Sequence, residues 1–160
     1  MGSRLRGQAL IESTAGVKMG GKTPDSTTPR LEWPMLLQYA GEAELRVVRD
    51  QDEWEIDPDL HARPYQPEDR LIDSAGVEYR LAFTDSPGRG RSAILPTGRR
   101  YSARELEPIA ERHIRSVGAQ PEWLAGHLRD IADSQRIRAT ILYLSKLAAA
   151  DVSEAADDDE

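Results

Sequence analysis

Cysteine is absent from the 160 residues. No disulfide, thiolate metal site or cysteine nucleophile can therefore be built from this chain. The absence fits a reducing compartment. Long apolar runs are missing too: none approaches the roughly 18 residues that a membrane helix needs. At the N-terminus, Arg4 and Arg6 are followed only by Ala9-Leu10-Ile11 before Glu12. That run is too short for the apolar centre of a secretory signal. A cytoplasmic location with no membrane partner is the expectation.

Apolar residues make up 39% of the chain and charged residues 31%. The first is below and the second above the share usual in a compact domain. The deficit sits at the ends. Residues 1–30 hold few large apolar side chains, and residues 150–160 hold only Val152 among them. The last ten residues include Asp151, Glu154, Asp157, Asp158, Asp159 and Glu160, so nearly all of the net charge of −7 belongs to the tail. The expected organisation is a disordered arm over 1–30, a single α+β domain over 31–149 and a disordered acidic tail over 150–160.

Within the middle stretch, Met35-Leu36-Leu37-Gln38-Tyr39 and Leu45-Arg46-Val47-Val48 read as a hairpin around a turn at Gly41. Asp50 followed by Glu53 predicts a capped short helix over about 51–56, with Trp54 inward and Pro58 as its stop. A proline-rich loop leads to a second hairpin, Arg70–Asp73 and Val77–Phe83, turning at Ser74-Ala75-Gly76. In its return strand Val77, Tyr79, Leu81 and Phe83 alternate onto one face. Ala93-Ile94-Leu95 suggests an edge strand ended by Pro96.

Two or three C-terminal helices follow. Ser102 with Glu105 has the capping-box pattern, but Pro108 argues for a start nearer Glu107. Gly118 predicts the stop. Pro121 opens the next helix, with Trp123, Leu124, Leu128 and Ile131 on one face. A third spans 135–149 through Ile137, Ile141, Leu144 and Ala148. Two hairpins around a short helix could build a mixed sheet of the β-grasp kind, with the C-terminal helices over one face.

The sharpest motif is Gly16-Val17-Lys18-Met19-Gly20-Gly21-Lys22-Thr23, which has phosphate-loop spacing. Its context is wrong: Ile11–Ala15 is no core strand, and Pro24 and Pro29 fall where the helix must run. Asp57, Asp59 and His61 sit at alternate positions, but no second cluster completes a metal site. His113 and His127 lie beside apolar helical stripes and read as core or boundary histidines. Asp69 and Asp73 flank a strand about 13 Å apart, too far for a glycosidase pair. Asp73 reads instead as the cap of the Ser74–Gly76 turn. No serine elbow or triad is present. Neither a metal nor a cofactor is expected.

Two stretches carry a resemblance. Trp33-Pro34-Met35-Leu36-Leu37 leads to Gly41–Leu45, and Tyr65-Gln66-Pro67-Glu68-Asp69-Arg70-Leu71-Ile72-Asp73-Ser74-Ala75-Gly76 is the more specific. Together, over about residues 31–148, they resemble a family of short bacterial proteins known only as a domain of unknown function. The resemblance implies a compact bacterial domain and brings no activity, cofactor or catalytic residue.

The leading functional expectation is a non-enzymatic protein-binding or adaptor domain with an unknown protein partner. Trp33 and Tyr65, beside the rigid proline-rich loop, offer residues of the kind that interfaces use. Closure of the core edge by the same two residues is the competing reading. The rival class is a small hydrolase or nucleotide-handling enzyme around Asp57, His61, Asp69 and Asp73. A third class binds nucleic acid through Arg89, Arg91, Arg99 and Arg100, although only Tyr101 interleaves them with an aromatic, so nucleic acid is not the expected partner. Because the phosphate-loop spacing lacks its strand and helix, Lys22→Ala is expected to leave any ATP affinity of the full chain unaltered in equilibrium dialysis. A large loss of ATP binding in that variant would restore the loop as a nucleotide site.

Overall fold

The computed structural model describes residues 30–83 and 92–154. The Gly16–Thr23 pattern, Arg89, Arg91 and almost all of the arm expected over 1–30 lie outside the described residues, as do positions 155–160.

β1 (Met35–Gln38) and β2 (Leu45–Val48) form the first hairpin, with Met35 opposite Val48 and Gln38 opposite Leu45. Gly41 takes the positive φ that its turn requires. α1 (Gln51–Ile56) starts where the sequence predicts. Asp50 Oδ1 accepts from the Glu53 amide at 2.8 Å. The Glu53 carboxylate reaches back one residue beyond the cap, to the Arg49 amide at 2.6 Å. The segment after Pro58, expected as loop, instead makes a 3-10 turn over Pro58–His61. Asp57 caps it by accepting from the Asp59 amide, and Leu60 is buried at its centre.

β3 (Arg70–Ile72) and β4 (Val77–Phe83) form the second hairpin. β5 (Ser92–Arg100) lies beyond β4, giving the order β2-β1-β3-β4-β5 with every pair antiparallel. The α+β class holds, but the mixed sheet of a grasp arrangement does not. Polar ties at both ends of β3 fix its antiparallel seat on β1. The Ala40 amide donates to Asp69 Oδ1 at 2.7 Å at one end. At the other, the Ser74 hydroxyl donates to the Pro34 carbonyl at 2.6 Å.

β5 runs past the expected stop at Pro96. Tyr79 opposes Pro96 while Val77 opposes Arg100, so β5 carries extra residues across from Glu78. This is a bulge, and Gly98 with φ of 86° absorbs it. Proline fits here because β5 is an edge strand, where no ladder donor is needed on the outer side.

The C-terminal part forms α2 (Ala103–Ser116), α3 (Glu122–Leu128) and α4 (Asp133–Glu154). α2 starts at Ser102, not near Glu107, and keeps Pro108 inside it. Glu105 accepts from the Ser102 amide at 2.9 Å and from its hydroxyl at 2.8 Å. Leu106 is fully buried, anchoring the turn that Pro108 weakens. α4 begins two residues earlier and continues five residues beyond the expected 135–149.

Successive strand residues point to opposite faces, and both faces of this sheet are covered. Leu36, Leu45 and Ile72 pack with Leu106, Ala110 and Ile114 of α2, Leu124 and Leu128 of α3, and Ile141 and Leu144 of α4. Met35, Leu37, Leu71, Tyr79 and Leu81 pack on the other face with Trp54 and Leu60. Trp123 does not join the inward stripe expected of it and is 56% exposed. Leu124 and Leu128 alone define the inner line of that seven-residue helix.

Two buried details hold the layers in register. Gly76 has φ of 81°, and a Cβ there would lie 2.6 Å from the Tyr101 carbonyl oxygen and 2.7 Å from Ile137 Cδ1. The Tyr101 amide also donates to the Gly76 carbonyl at 2.7 Å. His113 on α2 is buried and accepts through Nδ1 from the Leu45 amide at 3.0 Å. That satisfies a donor on the outer side of edge strand β2.

Gly76→Ala combines a strained φ with a backbone clash, so it is expected to cost about 1–3 kcal/mol from the dihedral alone, more with the clash, read as a lowered midpoint in urea melts. An unchanged midpoint would contradict the close approach.

Burial lowers the pKa of His113, so its neutral form is the native one. A group with a depressed native pKa contributes stability that is complete above its unfolded pKa, about 6.5, and is lost as pH falls toward the native value. Stability is therefore expected to fall below about pH 6.5, and less steeply in His113→Gln, which keeps an acceptor but does not titrate. Parallel melts at stepped pH check this, and identical slopes would contradict it.

Candidate functional site

The sheet face opposite α2, α3 and α4 is closed by a short stack of rings. Tyr39 follows β1, and Tyr65 comes up from the proline-rich loop to lie parallel to it, with centroids 6.3 Å apart and 7° between planes. Tyr65 also stacks on Trp54 of α1 at 6.1 Å and 21°. The His61 ring meets Trp54 edge-on at 5.0 Å. At the outer end the Arg63 guanidinium lies 4.4 Å from the centre of the Tyr39 ring and bonds Glu42 at 3.2 Å. The Tyr65 hydroxyl donates to the Leu60 carbonyl, which fixes the ring against the 3-10 turn.

Tyr39, Tyr65 and Trp33 are half-buried against this second core. Burial raises the pKa of both Tyr39 and Tyr65, so their hydroxyls stay protonated donors at neutral pH. Trp33 and Tyr65 pack at the edge of this core and leave part of their surface exposed.

The four residues of the hydrolase reading are engaged in holding the fold. Asp57 caps the 3-10 turn through one oxygen and pairs with Arg46 through the other. His61 Nε2 donates to the Trp54 carbonyl at 2.6 Å, while its Nδ1 is buried without a partner among the described residues. Asp69 is buried and accepts from the Ala40 and Gln66 amides, each at 2.7 Å. Asp73 is buried at the other end of β3. Its Oδ1 accepts from the Ala75 and Val77 amides at 3.0 and 2.8 Å, and its Oδ2 from the Tyr79 hydroxyl at 2.9 Å. This is the turn cap that the sequence predicts. Asp57 ends α1 and His61 bonds the Trp54 carbonyl within it, while β3 separates Asp69 from Asp73. Among the described residues no group of three or more His, Asp or Glu is placed to hold a metal ion.

The arginine cluster is divided. Arg99 lies over the Tyr101 ring at 4.2 Å and pairs with Glu78 and Glu105 at 3.7 Å each. Arg100 points to the β3–β4 turn, with Nη1 3.5 Å from the Ala75 carbonyl. Glu78, on the face of β4 opposite Tyr79 and Leu81, is buried and accepts from Tyr101 and Thr97 hydroxyls at 2.9 Å each. Burial, then the bond to Glu78, raises the Tyr101 pKa. His113 is the satisfied core histidine expected of it, whereas His127 is exposed, 5.3 Å from the Tyr143 ring.

Sequence reasoning missed Tyr39 and Arg63. The available signal was compositional: Arg63-Pro64-Tyr65 places a cation two residues from an aromatic, and Tyr39 ends an apolar strand. No helix among the described residues is long and apolar enough to cross a membrane.

No curated protein matches the chain. An NMR structure of a protein from Shewanella amazonensis shares the fold, with a TM-score of 0.50 and 20% identity over 74% of this chain and 91% of that one. The sequence profile of a family described as protein structure with unknown function, DUF4144, matches residues 33–119, more than half of the chain, which therefore belongs to that family.

Proposed function

We propose that the chain is a non-enzymatic protein-binding or adaptor domain whose contact surface is centred on Tyr39, Arg63 and Tyr65. One observation carries the reading: two parallel tyrosine rings and a guanidinium laid over the outer one form a fixed, partly exposed patch. Tyrosine and arginine are among the residues that dominate binding energy at interfaces. Rings held by stacking and by the Tyr65–Leu60 hydrogen bond lose little conformational entropy when a partner docks. Arg63 is 57% exposed in its side chain, so a charged partner group can reach it. Trp33 packs, partly buried, against the same core.

The hydrolase reading has weaker support, because Asp57, Asp69 and Asp73 already accept hydrogen bonds that the fold needs. Nucleic-acid binding is weakened at Arg99 by its pairing with Glu78 and Glu105.

Immobilised full chain is expected to retain a specific protein from source-cell lysate. Arg63→Glu, which changes only an exposed side chain, should cut its retention by about tenfold while the circular dichroism spectrum stays unchanged. Tyr65→Ala should do the same if it folds. Retention unaffected by Arg63→Glu, or lanes empty for both proteins, would overturn the assignment.

A further inference from the structure

On the helical side of the sheet, away from the tyrosine patch, lies a cleft of about 710 Å³. Its walls come from three places distant in sequence: the β3–β4 turn at Ala75, the junction of β5 with α2, and the first turn of α4. The Gly76–Tyr101 hydrogen bond and the missing Cβ at Gly76 let the first two meet. The volume lies within the range of small-molecule sites.

Three guanidiniums line this cleft: Arg100 from β5, Arg104 from α2 and Arg136 from α4. Arg136 is engaged, near Glu107 at 3.5 Å and Asp133 at 3.7 Å and bonded to the Leu128 carbonyl at 3.2 Å. Its Nε is nevertheless buried without a hydrogen-bond partner. Arg100 and Arg104 have no carboxylate within salt-bridge distance among the described residues, and both are exposed. The two acidic groups in the cleft thus lie against Arg136 and leave the other two cations uncompensated. Among the described residues nothing accepts from the amides of Ala103 and Arg104 at the start of α2. Ile137 and Ala103 add apolar wall.

We propose that this cleft is a binding site for a small organic phosphate. The phosphate would sit between Arg100 and Arg104, and its carbon skeleton against Ile137. Guanidinium forks match the paired oxygens of a phosphate monoester. The dianionic charge of the ester matches the two guanidiniums that no carboxylate pairs among the described residues. A carboxylate carries half that charge and one fewer acceptor oxygen, so it fits less well. The site is independent of the tyrosine patch, since it uses none of its residues and lies on the other face of the sheet.

The test is a titration of the isotope-labelled full chain followed by amide NMR, with inorganic phosphate and phenyl phosphate as probes. Saturable shifts are expected at residues 75–76, 101–105 and 133–137, with phenyl phosphate binding more tightly than inorganic phosphate. Arg104→Ala should weaken binding by about tenfold without moving the thermal midpoint. Glu107→Gln, which removes an acidic group from the wall, should strengthen it. Equal affinity for both probes would remove the organic part of the assignment. Shifts spread over unrelated arginines such as Arg63 and Arg115, or an affinity indifferent to Arg104→Ala, would overturn the site.

Discussion

Met35, Leu36 and Leu37 are fully buried in consecutive positions of one strand. Because neighbouring side chains in a strand point to opposite sides, water has to be kept from both faces of β1. Everything else in the architecture answers that constraint. Three helices cover the face bearing Leu36 and Ile72. α1, the 3-10 turn and the tyrosines cover the face bearing Met35 and Leu37. Each fully buried aliphatic side chain contributes roughly 1.5–3 kcal/mol, so neither cover can be dropped from a domain of this size.

The two covers are joined to the sheet by polar groups as well as by apolar contact. Asp69 and Asp73 fix the two ends of β3, Glu78 gathers Thr97 and Tyr101 across the bulge, and His113 fastens α2 to β2. A buried polar group left without a partner costs about 1–3 kcal/mol, so these bonds select one register over its neighbours. In a chain without cysteine they are the cross-links between distant segments. The same bonds explain why the carboxylates that first suggested chemistry are spent on structure.

Local signals were legible in the sequence because they act over few residues. Alternation in Val77–Leu81, the Asp50 cap, Gly41 and the turn held by Asp73 all follow from neighbours in the chain. The failures were failures of range. The antiparallel seat of β3 on β1 depends on Ala40 meeting Asp69 and Pro34 meeting Ser74, pairs some 30 to 40 positions apart. Nothing in the neighbours of Glu78 along the chain announces its burial, which depends on Thr97 and Tyr101 arriving from β5. Trp123 looked inward because a helix of only two turns gives too few positions to define its buried line. At the candidate site, Trp33 and Tyr65 were visible by type, but Tyr39 and Arg63 became relevant only once the loop folded back over β1.

The bulge in β5 bears on how the molecule behaves in a crowd of its own kind. A nine-residue strand at the border of a sheet is an open template for another chain. Here Pro96 removes one donor and Gly98 breaks the repeat. A second molecule approaching that border meets no uninterrupted ladder. The irregularity that seats Glu78 thereby also discourages fibrous stacking.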